Sequence, residues 1–430
     1  MRSTSRLVKL ALLPMVVLAC RGPEADPAPG AEAPGELAAS DKSRLAVQAP
    51  QADLAAAVKG HNAFAFELYR RLTRDGENLF FSPTSIVTAL SMTYAGAAGD
   101  TEKAFATVLG SALAQPAHHR AMNDLDAQLN GRGQNARAAD GQPFRLRSTN
   151  QLFAQKGYPF ETPFLDTLAT EYGANVRLLD FVAETEPSRL AINDWVAQKT
   201  EDRIKNLLSP GIITADTRLV LVNAIYFNAS WRQPFEPAAT REGDFHKADG
   251  STTRAHFMRD SALRTRAAQV NGVEVFELPY DGNELSMLVL VPPAGGLAAL
   301  EASLDAAQLD AYVQALQSET LELSFPRFET RTTASLSKPL QDMGLAVAFG
   351  SGADFTAMSR NGGLAITDVA HQAFVKVNEK GTEAAAATAV VVGETSLPVA
   401  RPLVVDRPFV FAIRDHATGA LVFVGRIVAP

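Results

Sequence analysis

A chain of 430 residues with 47 % hydrophobic content and a formal net charge of -7 has the material for one large buried core. No basic run or aromatic-plus-basic cluster stands out, which argues against a nucleic-acid partner. The single cysteine, Cys20, excludes an internal disulfide and any Cys-rich metal site.

The N-terminus begins with Arg2, Arg6 and Lys9, then an apolar run from Leu10 to Ala19 that is too short to span a bilayer as a mature helix. The run ends Val17-Leu18-Ala19-Cys20 and resembles a bacterial lipoprotein signal, with residues 1–19 removed and Cys20 lipidated. Several acyl chains on one residue anchor a protein stably. The resemblance implies an exported cell-envelope lipoprotein. Arg21, where inner-membrane retention involves Asp, points to the outer membrane. An extracellular protein is the alternative. Residues 20–50 are rich in Pro, Ala, Gly and Glu, and are expected to be a flexible tether. No linker or repeat divides residues 51–430, which are expected to form one domain.

Leu54 to Leu72 has helical spacing at Val58, Phe64, Leu68 and Leu72. Ser82 is a candidate cap and Pro83 suits the first turn of a helix over Thr84 to Ala95. Asp100 is a candidate cap for the next helix. His118-His119 has no third ligand nearby and reads as a solvated surface pair. Phe144 to Leu152 alternates like a strand, Pro187 to Thr200 reads as a helix containing Trp195, and Leu219 to Phe227 reads as a strand buried on both faces. Val273 to Leu278 and Glu284 to Val291 flank Asp281-Gly282, a hairpin signal. Leu321, Leu323 and Phe325 alternate into Pro326-Arg327-Phe328, and the apolar segments Arg407 to Phe411 and Leu421 to Ile427 form a final hairpin.

The stretch from Val375 to Ser396 organises the rest. Phe374, Val375 and Val377 alternate into Glu379-Lys380-Gly381. Small residues, three valines and a polar tip follow. As a strand, Thr382, Ala384, Ala386, Thr388, Val390 and Val392 would share one uncharged face, and Glu383 would lie on the other. Gly381 is where the chain could pivot. The composition fits a segment that is exposed in one state and a strand in another.

Glu379-Lys380-Gly381-Thr382-Glu383-Ala384-Ala385-Ala386-Ala387-Thr388 resembles the hinge of the reactive loop of serpins, the serine-protease inhibitor family. Asn78-Leu79-Phe80-Phe81-Ser82-Pro83-Thr84-Ser85-Ile86, Gly96-Ala97-Ala98-Gly99-Asp100-Thr101 and Leu340 through Phe355 carry the same resemblance, which runs from about Leu54 to Val428. It implies an α+β serpin fold: three β-sheets, eight or nine helices and an exposed reactive loop. It implies an irreversible suicide inhibitor of serine proteases, which is not an enzyme. The cleaved loop would insert into the central sheet and drag the acyl-enzyme with it.

By the same resemblance, Ser82, Ser85, Asn223 and His371 hold the centre of the sheet, and Trp231, Arg327 and Glu379 lie where the loop first enters it. A Glu379–Arg327 pair beside Trp231 is expected to hold that entrance shut. Family spacing from Gly381 implies cleavage between Thr395 and Ser396, with Glu394 and Leu397 as alternatives. The valines upstream suggest an elastase- or subtilisin-like target. No Arg or Lys lies between Gly381 and Ala400, so a trypsin-like target is not expected. No His-Glu-x-x-His, Gly-x-Ser-x-Gly or phosphate-cradling loop is present. No cofactor or metal is expected, and the chain is expected to be a monomer. The alternative is a non-inhibitory serpin-fold binding protein of the cell envelope.

Overall fold

Alternation along Leu219–Ser230 decides what the two faces of the central sheet touch. Leu219, Leu221, Ile225, Phe227 and Ala229 enter the larger apolar core. Val220, Val222 and Ala224 enter a second cluster with Phe153, Phe181 and Trp195. The strand is buried on both faces, as its near-continuous apolar run predicts. A computed structural model of the chain describes residues 32–134, 136–138, 141, 143–382 and 400–430. The architecture is α+β, with nine α-helices among the described residues.

Seven strands form the main sheet. In spatial order they are β1 (Glu36–Ala38), β4 (Val176–Leu179), β3 (Arg145–Gln155), β5 (Leu219–Ser230), β13 (Gly381–Thr382), β12 (Ile366–Asn378) and β11 (Phe328–Ser335). The other network runs β14 (Arg401–Val404), β10 (Gln317–Pro326), β7 (Thr252–Val270), β8 (Val273–Pro279), β9 (Leu285–Val291), β15 (Phe409–Asp415), β16 (Leu421–Ile427) and β2 (Leu79–Phe81), with β6 (Arg241–His246) beside β7. Three sheets were expected. The two smaller ones are hydrogen-bonded into one network because the 19-residue β7 pairs in turn with β6, β10 and β8.

Helix α1 (Gln51–Leu72) and helix α2 (Pro83–Tyr94) fill the space between the networks, and α2 touches β3 and β5 on one side and β16 on the other. Ser82 caps α2, its hydroxyl accepting from the Ser85 N–H at 3.2 Å, with Pro83 in the first turn. Helix α3 (Gly99–Val108) is capped by Ala98 rather than by Asp100, whose carboxylate lies inside the first turn and pairs with Lys103. Helices α4 (Gln115–Asn130), α5 (Thr162–Thr167) and α6 (Thr185–Lys199) follow. Trp195 of α6 meets Phe153 edge-on at 5.7 Å, so α6 covers the face of the sheet opposite α2.

Two further expectations fail. His118 and His119 are buried, not a solvated surface pair. His118 Nε2 meets Ser91 Oγ at 2.9 Å, and His119 Nδ1 meets the Tyr172 hydroxyl at 2.6 Å. Their position on α4 explains this: they continue the inward face of Met122, Leu125 and Leu129. The described part of the expected tether, residues 32–50, is docked on the fold. Glu36, Leu37 and Ala38 add an edge strand antiparallel to β4, and Ala33 is buried in the second cluster.

Candidate functional site

β12 and β5 run parallel and pair directly, from Ile366 opposite Leu219 to Ala373 opposite Ile225. Above that point they part, and β13 lies between them, antiparallel to both. Gly381 and Thr382 pair with Ser230 and Ala229 on one side, and with Asn378 and Val377 on the other. The chain therefore rises along β12, turns at Glu379-Lys380, and starts back down between the two strands.

That turn is held from several directions. The Glu379 and Lys380 carbonyls accept from the Phe235 and Trp231 N–H groups at 2.7 and 2.8 Å, and the Trp231 indole N–H donates to the Asn378 carbonyl at 2.9 Å. Arg327 Nε donates to Glu379 Oε1 at 2.6 Å, Arg327 Nη2 also contacts this carboxylate, and the Thr240 hydroxyl donates to it at 2.5 Å. Burial alone would raise the Glu379 carboxyl. The Arg327 and Thr240 hydrogen bonds outweigh it and hold the group below its usual range. Only 5 % of Glu379 is exposed, whereas the Arg327 side chain is 41 % exposed, so a buried carboxylate is anchored by a guanidinium that reaches the surface.

Gly381 has φ +153°, and a Cβ there would sit 2.1 Å from the Ala229 carbonyl oxygen, so no other residue fits the pivot. Thr382 is buried on the core face. Its hydroxyl lies 2.8 Å from that of Tyr280, whose ring stacks on Trp231 at 4.7 Å. Burial pushes the Tyr280 phenol well above its usual range, so it stays a neutral hydrogen-bonding group.

Lower down, where His371 stands opposite Asn223, the seam is polar. His371 Nδ1 lies 2.5 Å from Asn223 Oδ1, and the Ser82 N–H points at Nε2 from 3.4 Å. Both contacts are met by one neutral tautomer, protonated on Nδ1. The Asn223 amide donates to Asn150 Oδ1 at 2.5 Å and to Ser85 Oγ. Ser85 Oγ also lies 2.8 Å from Ser148 Oγ, and Ser82 Oγ donates to the Val422 carbonyl of β16 at 2.8 Å. One polar cluster thus ties β3, β5, β12, α2 and β16 together. The structure brings Ser82, Ser85, Asn223 and His371 into it, and Trp231, Arg327, Glu379, Gly381 and Thr382 into the turn above. Asn150, Ser148, Thr240 and Tyr280 belong to these groups but carried no sequence signal, because their partners are far away along the chain. Ala384, Ala386, Thr388, Glu394, Thr395, Ser396, Leu397 and Cys20 lie outside the described residues.

A family model described as "Serpin (serine protease inhibitor)" matches residues 59–430. Pig leukocyte elastase inhibitor is 36 % identical over 378 residues, covering 85 % of this chain and 97 % of that protein. Mouse antithrombin-III is 36 % identical over 382 residues, covering 86 % of this chain and 81 % of its own. The crystal structure of human thyroxine-binding globulin with thyroxine superposes with a TM-score of 0.77 at 28 % identity, covering 88 % of this chain and 99 % of that one.

Burial lowers the His371 imidazole from its ordinary 6.5 to about 3. The sign follows: the folded chain holds His371 neutral, the unfolded chain protonates it near pH 6.5, and stability contributed above pH 6.5 is lost as pH falls toward 3. His61, His118 and His119 are lowered by burial to about 4, 4 and 3, and act in the same sense. Native stability should fall with acid by up to about 1.4 kcal/mol per pH unit for each such histidine. In His371→Gln, proton uptake on unfolding at pH 5 should drop by about one relative to wild type, measured by the pH dependence of denaturant unfolding.

Proposed function

The chain belongs to the serpin family, and from that premise we propose that it is an irreversible suicide inhibitor of serine proteases of the elastase or subtilisin type. The observation that carries this reading is the register of β13. Thr382 stands opposite Ala229 on β5 and Val377 on β12. Continued residue by residue, that register brings Thr388 between Asn223 and His371, which already face each other across the seam. It brings Val392 opposite Leu219, the lower end of β5. Down to residue 391, opposite Val220 and Asp368, both neighbours give the same answer, so over that length insertion needs lateral opening and no sliding of one strand along the other; the β5–β12 ladder shifts by one only below it.

The side-chain pattern agrees. Thr382 faces the core, so Ala384, Ala386, Thr388, Val390 and Val392 would follow it inward, while Glu383 would face outward. None of the inward residues is charged or large. Thr388 would bring a hydroxyl to the place where His371 and Asn223 now bond directly, so the polar groups separated by opening would find a new partner.

The energetics favour the inserted state. One parallel ladder is replaced by two antiparallel ones, which are slightly more stable per residue. At about 1 kcal/mol net for each added backbone bond, roughly ten more inserted residues release on the order of 10 kcal/mol. Those residues carry the chain about 33 Å down the sheet. A protease acylated at the loop tip is pulled that distance before it deacylates. The inhibitor is consumed, with no catalytic group of its own.

Cleavage between Thr395 and Ser396, with Glu394 and Leu397 as alternatives, belongs to the same proposal. So do a monomeric state and export as a lipoprotein anchored through Cys20. The support for these is the sequence alone.

Incubation with pancreatic elastase and with a subtilisin should give a species at the summed mass that survives denaturing electrophoresis, with release of a C-terminal peptide. Cleavage of the loop by both enzymes with no such species would overturn the inhibitory reading. Thr382→Arg introduces a charged side chain beneath the Trp231–Tyr280 stack. It should lower the yield of trapped complex about tenfold or more and raise that of cleaved chain, read as the ratio of the two bands. An unchanged ratio would contradict a strand that continues inward from the buried position of residue 382.

A further inference from the structure

The segment before α1 joins the outer edge of the main sheet to α1. At its N-terminal end Glu36, Leu37 and Ala38 pair with Leu178, Arg177 and Val176 of β4, the outer strand of the β4–β3–β5 block. At its other end Pro50 leads straight into α1, which packs on α2 and β16. The ten or so residues between are tied down along their length. Ser40 Oγ and Lys42 Nζ donate to the Asp166 carboxylate at 2.6 and 2.7 Å. Arg44 Nε donates to Asn123 Oδ1 at 2.9 Å, and its Nη2 pairs with Asp126 at 2.7 Å. The Leu45 N–H donates to the Thr170 carbonyl at 2.8 Å, its carbonyl accepts from Asn123 Nδ2 at 3.1 Å, and the Ala49 N–H donates to Asp124 Oδ2 at 2.9 Å.

A strand added between β5 and β12 moves the β4 edge outward by about one strand spacing, ~4.8 Å, relative to β12. α1 packs on β16, α8 (Ala306–Ala315) and α9 (Ser337–Leu340), which lie outside the β4–β3–β5 block. A segment covalently continuous with α1 and hydrogen-bonded to β4 cannot follow both. We propose that residues 36–49 are a strap that holds the main sheet closed, and that its docking sets the rate at which the sheet admits the loop. This rests on the insertion reading above and adds a control element to it. Each ion pair in the strap is partly exposed and weak alone. The hydrogen bonds to Asn123, Asp124 and Thr170 seat the segment, and the β1–β4 pairing ties that seated segment to the edge that would move.

The test is uptake of a labelled synthetic peptide with the sequence of residues 382–393 by the intact full chain, followed by native electrophoresis. It needs no protease. The comparison is wild type, Asp166→Ala combined with Arg44→Ala, and Leu37→Pro, which puts a residue without an N–H at the middle of β1, at a side chain that is 52 % exposed and so spares the core. Lys103→Ala, in an exposed pair with Asp100 on α3, is the control. Uptake should be about tenfold faster in both strap variants and unchanged in the control, while the melting temperature of the peptide-filled form stays near that of wild type. Uptake at the wild-type rate, or slower, in both strap variants overturns the strap while leaving insertion standing. No uptake by any chain overturns insertion and the strap with it.

Discussion

The direct parallel pairing of β5 with β12 is the contact on which the rest of the molecule depends. Parallel ladders are somewhat weaker per residue than antiparallel ones. This one is also divided in kind. Its outer face carries Val220, Val222 and Ala224 under α6, and its inner face sets an imidazole, an amide and the hydroxyls of α2 among apolar neighbours such as Leu221 and Ile225. Buried polar groups must keep partners. A seam closed by exchangeable hydrogen bonds can open and close again around a new strand, whereas one filled with interlocked aliphatic side chains would have to be repacked.

Three devices bear on that seam at different heights. The Arg327–Glu379–Thr240 cluster and the Trp231 indole fix the turn at the top. His371, Asn223, Asn150 and Ser85 close the middle. The segment before α1 ties the far edge of the sheet, at β4, to α4 and α1. Gly381 and Thr382 lie between β5 and β12 at the top, so the insertion proposed above would open the sheet from that side.

Much of this was legible in the sequence, for reasons that differ by element. The nearly unbroken apolar run of β5 gave its two buried faces directly, and Ser82-Pro83 gave the start of α2. Gly381 was legible as a pivot, although only the approach of the Ala229 carbonyl shows why nothing larger fits. The pairing of Glu379 with Arg327 came from family resemblance, not spacing, since 52 residues separate them. What stayed hidden depended on contacts between distant segments. The residues before α1 look like solvent-exposed chain until Asp124, Asp126 and Asp166 are brought alongside. His118 and His119 look like a surface pair until the helical face they share with Met122 and Leu125 is seen to point inward.

The central claim is that the closed sheet is the less stable of two arrangements and that the loop is the strand it lacks. The most direct measurement is the thermal unfolding of the intact chain beside the same chain nicked once between residues 383 and 399. If the freed segment becomes a central strand, the nicked chain should melt higher, by at least about 10 °C. A nicked chain that melts at or below the intact one would contradict the account, because a loop that gains nothing by entering the sheet cannot drive the trapping of a protease.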